Sequence, residues 1–148
     1  MCIRDSIVGG DFLNFDNVAL NDYIVGWDGS AYTTLVDTAC DGIVYDLIKD
    51  AAGNIYAVGV FTDIDGTTCR GIAKYTGGTT WAAVGPPSAI SGNAIIHCIA
   101  LDPTNDGHIY VGGDFTDLDG DGNSDMLGYW DGDSCCLLYT SPSPRDRS

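Results

Sequence analysis

The amino-acid sequence predicts an all-β fold assembled from repeated antiparallel units. All 21 acidic residues are aspartates and the chain has 20 glycines; both residue types favour turns, whereas the absent glutamate favours helices. Short runs of β-branched and aromatic residues alternate with clusters of Gly, Asp, Asn and Pro, which is the pattern of strands joined by tight turns. Helical periodicity is not sustained anywhere, and the near-helical stretch 43–52 is short and belongs to a repeated segment.

Both ends of the chain are expected to be translated sequencing adapter rather than native protein. One DNA element, which resembles the transposon end of tagmentation libraries, encodes residues 1–6 on one strand and the start of segment 136–148 on the other. We therefore exclude these two segments from the fold prediction and expect 7–135 to be a metagenomic fragment of a longer chain. The codon of Cys135 overlaps the adapter, so a native Trp at this position is equally compatible with the DNA.

The charge of the chain restricts its partners. A formal net charge of −15 argues against nucleic acid and against anionic membrane surfaces, because both need patches of Lys and Arg. No apolar run approaches the roughly 20 residues of a membrane-spanning helix, so membrane insertion is not expected. The excess of acidic residues suits a calcium-rich extracellular setting, and the alternative is that these charges serve solubility only.

The cysteine pattern leaves two possibilities open. Cys40, Cys69 and Cys98 can form a disulfide among them or remain buried free thiols.

Self-similarity is the strongest signal in the sequence. The repeat is about fifty residues long, as measured between Phe12, Phe61 and Phe115. Each phenylalanine ends a Gly-rich strand, and a second motif follows it in each copy, namely Trp27-Asp28-Gly29, Tyr75-Thr76-Gly77 and Trp130-Asp131-Gly132. A third motif begins with an aromatic residue, Tyr32 or Trp81, and its counterpart in the last copy falls at position 135. A fourth motif precedes the first and is present twice, as Asp46–Asp50 and Cys98–Asp102.

Four strands per unit of about fifty residues is the size of one β-propeller blade. We therefore predict a partial β-propeller of about two and a half four-stranded antiparallel blades: a partial blade over 7–36, a full blade over 43–85 and a partial blade over 94–135. The expected strands number three, four and three in these units. A stacked β-solenoid or an ordinary sandwich is the alternative, but the unit is longer than the usual coil of a β-helix.

The Gly-Gly-Asp-Phe and Trp-Asp-Gly motifs resemble kelch-like and galactose-oxidase-like propeller repeats of secreted or surface proteins. The resemblance spans 7–135 and implies an extracellular or cell-surface location. In the middle unit Val60 replaces the Asp and Thr76 replaces the Asp of Trp-Asp-Gly, so these positions are expected to be structural. The phenylalanines and other motif aromatics are expected to fill the space between blades, and the glycine pairs to let strands approach closely.

One loop carries a metal-binding pattern. Residues 117–125 fit Asp-x-Asp-x-Asp-Gly-x-x-Asp, and alternating carboxylates in a tight loop suit calcium, a hard cation that takes six to eight oxygen ligands. The loop resembles the calcium loops of FG-GAP propeller repeats. That resemblance implies a structural Ca²⁺ held by four side chains and, at Asn123, a backbone carbonyl; the residues are Asp117, Asp119, Asp121, Asn123 and Asp125. An EF-hand would need Glu where Gly128 stands, and the alternative is a solvated Asp/Gly hairpin loop.

The equivalent loops of the other two copies lack further ligands. Asp63 and Asp65 are followed by Thr67 and Cys69, and the first copy has Asn14 and Asp16 followed by Val18. These loops are therefore weaker candidates for a calcium site than 117–125.

The sequence gives little evidence for catalysis. The two histidines are His97, in an apolar strand, and His108, in a turn. His97 and Cys98 are expected to point to opposite faces, which rules out a nucleophile–base dyad along the strand. We therefore expect a non-catalytic surface or adhesion propeller that binds a protein or glycan, with the missing blades of the same chain as its other partner. The alternative is part of a propeller enzyme, an oxidase or a glycan-cleaving enzyme, whose catalytic residues lie in the missing blades.

Overall fold

A computed structural model describes residues 6–85, 94–116, 125–132 and 135–137, and within these ranges the chain is all-β with no α-helix. A single 3-10 turn is seen there, at Phe15–Asn17, and no described helix is long and apolar enough to span a bilayer. The strands are β1 Ser6–Gly9, β2 Ile24–Trp27, β3 Tyr32–Thr33, β4 Ile43–Lys49, β5 Ile55–Val60, β6 Asp63–Ile64, β7 Thr67–Thr68, β8 Ile72–Gly77, β9 Thr80–Ala83, β10 Ile95–Leu101, β11 Ile109–Thr116, β12 Asp125–Trp130 and β13 Cys135–Leu137.

The strands form three antiparallel sheets that follow one another along the chain. The first sheet has the order β1-β2-β3, the middle sheet β4-β5-β8-β9 and the third sheet β10-β11-β12-β13. Strands β6 and β7 make a separate hairpin between β5 and β8. The predicted all-β, antiparallel fold is confirmed.

Three strands appear that the sequence did not predict. Strands β6 and β7 form because Asp65 and Gly66 both have positive φ, 56° and 74°, which is the backbone of a type I′ hairpin turn. Strand β13 pairs with β12 and places Cys135 opposite Trp130. The same register places Tyr32 opposite Trp27 and Trp81 opposite Tyr75. Position 135 is therefore the structural counterpart of an aromatic residue in the two other sheets.

In the middle and third sheets, the first two strands pair in the same pattern. Ile43 faces Val60 in one sheet and Ile95 faces Asp114 in the other, and each ladder ends at the hairpin loop. Both ladders are interrupted at the same place, where Tyr45 and His97 are extra, unpaired residues. Such a bulge bends the strand and turns the side chain of the extra residue to a new direction.

The glycines opposite the bulges are needed for close approach of the two strands. A Cβ atom at Gly59 would lie 2.0 Å from the carbonyl oxygen of Ile43, and one at Gly113 would lie 2.0 Å from that of Ile95. Since no side-chain movement can relieve a clash with backbone, only glycine fits at these two positions. The predicted role of the glycine pairs in close strand approach is confirmed here.

The middle sheet is buried on both faces by its two neighbours. One apolar cluster lies between the first and middle sheets and the other between the middle and third sheets. Along β5, Ala57 belongs to the first cluster, whereas Tyr56 and Val58 belong to the second. Phe61 and Phe115 are buried in the first and second clusters respectively, as the sequence predicts for residues that fill the space between units. The same prediction is wrong for Phe12, which is half-buried, belongs to neither cluster and lies 5.2 Å, centroid to centroid, from Phe15.

Trp81 joins the first two sheets by packing and by a hydrogen bond. Its side chain is 5% exposed within the first cluster. The indole Nε1–H donates to the buried carbonyl oxygen of Leu35 at 3.0 Å. The ring also lies 5.0 Å, centroid to centroid, from that of Tyr75 on the adjacent strand. A buried indole that is packed and hydrogen-bonded contributes more than its apolar area alone.

Candidate functional site

The predicted calcium loop joins β11 to β12. Its residues Asp117, Asp119, Asp121 and Asn123 lie outside the described part of the chain. The backbone of Asp125, the first residue of β12, pairs with that of Thr116, the last residue of β11, so the two ends of the loop are neighbours across a ladder. The calcium site therefore stays a prediction; among the described residues, no group of three or more His, Cys or Asp side chains is arranged to hold a metal ion.

In the equivalent loop of the middle sheet, the carboxylates bind backbone amides. Asp63 Oδ1 accepts a hydrogen bond from the N–H of Gly66 at 2.8 Å. Asp65 Oδ1 accepts from the N–H groups of Asp37 and Thr38 at 2.6 and 2.9 Å. Carboxylates used in this way stabilise turns, and they fix the β6–β7 hairpin on the chain that leads into β4.

The two bulge residues meet on an exposed surface. The rings of Tyr45 and His97 lie 5.2 Å apart, and His97 Nε2 is 3.0 Å from Asp114 Oδ2. His97 and Cys98 are both exposed because the bulge interrupts the alternation of side chains. They still form no dyad, since His97 pairs with Asp114 while the Cys98 thiol lies 3.7 Å from the carbonyl oxygen of Gly112.

A buried carboxylate closes the loop between β10 and β11. Asp102 accepts hydrogen bonds from the N–H and hydroxyl of Thr104 at 2.8 and 2.6 Å, from the amide of Asn105 at 3.0 Å and from the hydroxyl of Tyr129 at 3.1 Å. The bonds from Asn105 and Thr104 hold the pKa of Asp102 well below its usual value. Asp102 is thus a carboxylate, and an acceptor only, at neutral pH.

The proton positions along this network follow from that ionisation. Tyr129 has one hydroxyl proton, which it donates to Asp102, and its oxygen lies 2.6 Å from Nδ1 of His108. With the hydroxyl proton assigned to Asp102, Nδ1 carries a proton and donates it to the Tyr129 oxygen. Partial burial, together with the bond to Asp102, raises the pKa of Tyr129 to about 12, so the phenol stays protonated. In neutral His108 the remaining nitrogen, Nε2, is therefore an acceptor.

The corresponding aspartate of the middle sheet closes its own hairpin. Asp50 accepts from the N–H and side-chain amide of Asn54 at 2.7 and 2.8 Å, and from the Tyr56 hydroxyl at 3.4 Å. Burial raises the pKa of Asp50, but the bonds from Asn54 lower it by more, so the pKa lies below its usual value. The sequence contains the signal for this role, because an Asp ends the fourth motif in both copies.

Two grooves lie between successive sheets at equivalent positions. The groove between the first and middle sheets has a volume of about 330 Å³, and that between the middle and third sheets about 210 Å³. Tyr75 and Gly77 line the former, and their repeat counterparts Trp130 and Gly132 line the latter. A separate cleft of about 240 Å³, also between the middle and third sheets, is lined in part by Arg70.

Cys40, Cys69 and Cys98 are free thiols. Cys40 and Cys69 are buried in the first apolar cluster, and Cys98 is exposed. Burial raises the pKa of Cys40 to about 11 and that of Cys69 to about 12, so both remain protonated and unreactive at neutral pH. Of the two possibilities left open by the sequence, the structure has buried free thiols at these two positions.

Comparison with known proteins gives no relative: no family model, no curated protein and no solved structure matches the chain. Function is therefore inferred from the geometry of this chain alone.

Proposed function

We propose that this chain is a section of a β-propeller that serves as a non-catalytic binding or adhesion module at the cell surface or outside the cell. Its ligand is a protein or a glycan, and a calcium ion in loop 117–125 has a structural role. The observation that supports this most directly is the repeated ladder, with the same bulge at Tyr45 and His97, in two consecutive sheets. Repeated sheets that pack face to face are the elements from which propellers are built.

The packing between sheets supports the same proposal. The middle sheet has both faces buried, and each face meets a sheet built from an equivalent segment of the sequence. The first sheet has no strand paired to the free edge of β1 among the described residues. In a propeller, an additional strand equivalent to β4 and β10 would occupy this edge, and further blades would cover the outer faces of the first and third sheets.

The sequence of the flanking gene tests the proposal. We expect further units of about fifty residues that carry Gly-Gly-Asp-Phe and Trp-Asp-Gly motifs, together with a secretion signal and a sorting or anchoring tail. A gene that continues without such units would contradict the propeller. A gene with the units but with a cluster of His, Tyr, Arg or Glu residues around a central pocket would favour an enzyme instead.

Calcium binding has a test of its own. We expect the chain to bind Ca²⁺ saturably in calorimetry and the double variant Asp119→Ala/Asp121→Ala to lose that binding, because two of the carboxylate ligands are removed. The matched control is Asp63→Ala/Asp65→Ala in the equivalent loop. Since those carboxylates accept backbone hydrogen bonds, this variant should keep Ca²⁺ binding while its β6–β7 hairpin loosens. Unchanged Ca²⁺ binding in the first variant would refute the site.

A further inference from the structure

The groove between the middle and third sheets contains an unusual combination of side chains. It is lined by Trp130 and by groups of both charges, Lys74 on one wall and Asp106 and Asp131 on the other. The chain has two lysines and 21 aspartates; Lys74 lines this groove, and the second lysine, Lys49, lines the equivalent groove between the first and middle sheets. Both lysines of a chain with few positively charged side chains therefore lie at these grooves.

The chemistry of the lining restricts the class of ligand. An anionic ligand would be repelled by Asp106 and Asp131, and Lys74 offsets part of the attraction that these two carboxylates would give a cationic ligand. A neutral molecule rich in hydroxyl groups can donate to the carboxylates, accept from the ammonium group and lie against the indole of Trp130. The volume of about 210 Å³ is below the roughly 300–1,000 Å³ of sites for drug-sized ligands, which suits a single ring.

One acceptor in this groove is oriented in advance. His108 lines the groove, and its Nδ1–H is held by Tyr129, which is held in turn by Asp102. Nε2 has no hydrogen-bond partner among the described residues. Because the His108 ring is fixed through Nδ1, its Nε2 is held in one orientation, and a ligand that donates to it loses little side-chain entropy on binding. Supporting residues orient binding groups in this way in other sites.

The loop that carries His108 is also held against the middle sheet. Asp106 Oδ1 accepts a hydrogen bond from the N–H of Ala51, in the hairpin loop of the middle sheet, at 3.3 Å. Trp130 packs against Gly85, because a Cβ placed at Gly85 would lie 3.0 Å from its ring. Both walls of the groove are therefore fixed relative to each other by contacts between the sheets.

From these observations we propose that the inter-sheet groove formed by Lys74, Asp106, His108, Trp130 and Asp131 is a binding subsite for one pyranose ring of a neutral saccharide. The inference rests on the proposed binding function and names its ligand class. Trp130 supplies the apolar surface, Lys74 a donor, and the carboxylates and His108 Nε2 the acceptors. Tyr129 acts as a positioning residue through His108.

Calorimetric titration of the chain with neutral trisaccharides of glucose, galactose and mannose tests the proposal. We expect at least one to bind, Trp130→Ala to weaken its binding at least tenfold, and Lys74→Ala, which removes a half-buried side chain, to weaken it several-fold. A uronic acid trisaccharide and a lysine-rich peptide are the charged probes. The proposal is overturned if no neutral trisaccharide binds, if a charged probe binds more tightly, or if neither substitution weakens binding.

The role of Tyr129 has a matched pair of variants. Tyr129→Phe removes the hydroxyl that holds His108, whereas Tyr45→Phe removes a hydroxyl from the exposed bulge. We expect Tyr129→Phe alone to lower saccharide affinity, by about three- to tenfold, and to change the ¹⁵N resonances of His108 from the Nδ1–H form to a mixture of tautomers. Equal effects of the two variants, or an unchanged tautomer, would remove the positioning role.

The saccharide titration and the sequence of the flanking gene test the groove and the propeller independently. If the flanking gene encodes further blades but no saccharide binds, the groove proposal fails and the propeller proposal stands. If a neutral saccharide binds but the gene lacks further blades, the propeller proposal fails and the subsite stands.

Discussion

Gly59→Ala is expected to destabilise the chain by about 3 kcal/mol or more, because the new methyl group would overlap backbone rather than a side chain. The carbonyl oxygen of Ile43 lies 2.0 Å from where the Cβ would be, and the ladder on both sides of the bulge prevents that oxygen from moving away. Gly113→Ala should have a similar effect, since the oxygen of Ile95 stands at the same distance. Urea denaturation followed by far-ultraviolet circular dichroism measures the change.

Gly10→Ala is the matched control for this prediction. Gly10 is the repeat counterpart of Gly59 and Gly113, but none of the described strands pairs with the free edge of β1, where β4 and β10 stand in the other two sheets. A Cβ there would meet only the ring of Phe12, at 3.2 Å, which can rotate away. The stability of this variant should stay within about 1 kcal/mol of the wild type. If Gly59→Ala and Gly10→Ala behaved alike, the close approach of β4 and β5 would not be the reason for the glycine.

Trp81→Ala is expected to lower the free energy of unfolding by about 3–5 kcal/mol, the usual range for removing a buried aromatic side chain. The substitution opens a cavity in the cluster between the first and middle sheets and leaves the carbonyl oxygen of Leu35 without its donor. Trp81→Phe should cost less, because it keeps most of the packing and loses the hydrogen bond. The shift of the urea midpoint, together with an unchanged m-value, measures both effects.

Trp27→Ala provides the comparison for Trp81. Trp27 is half-buried and lies 4.7 Å, centroid to centroid, from the ring of Tyr32 on the edge strand of the first sheet. Its removal should cost about 1 kcal/mol. If Trp27→Ala and Trp81→Ala lowered the free energy of unfolding equally, the first sheet would not pack on Trp81 as described.

The motifs of the sequence were sufficient to predict ten of the thirteen described strands, all except β6, β7 and β13. The repeat alignment of Asp46–Asp50 with Cys98–Asp102 corresponds to equivalent positions in the two ladders, where Leu47 faces Ala57 and Ile99 faces Val111. The two ladders share a register because a repeated segment with the same apolar pattern buries the same faces, and a slip of one residue would turn them to solvent. The β6–β7 hairpin was missed because its strands have two residues each, too few for an alternating pattern, although Asp65-Gly66 is a recognisable turn signal.

The candidate sites could be predicted only in part. The Asp pattern of 117–125 is local, so it can be read from the sequence, and it lies outside the residues that the structure describes. The network of Asp102, His108 and Tyr129 could not be predicted, because its members are up to 27 residues apart and none belongs to a known spacing pattern. The grooves likewise depend on side chains from two different sheets.

By itself, the sequence determined the all-β fold class, the repeat and the positions of most strands, because periodic burial and turn residues act over a few neighbouring positions. The tertiary structure alone decided which side chains meet: the ring contact of Tyr45 with His97, the bond of Trp81 to Leu35 and the orientation of His108 by Tyr129. Those contacts join strands of different sheets or strands separated by a long loop. They depend on how the sheets twist and pack against each other, which the alternation of residues along one strand does not specify.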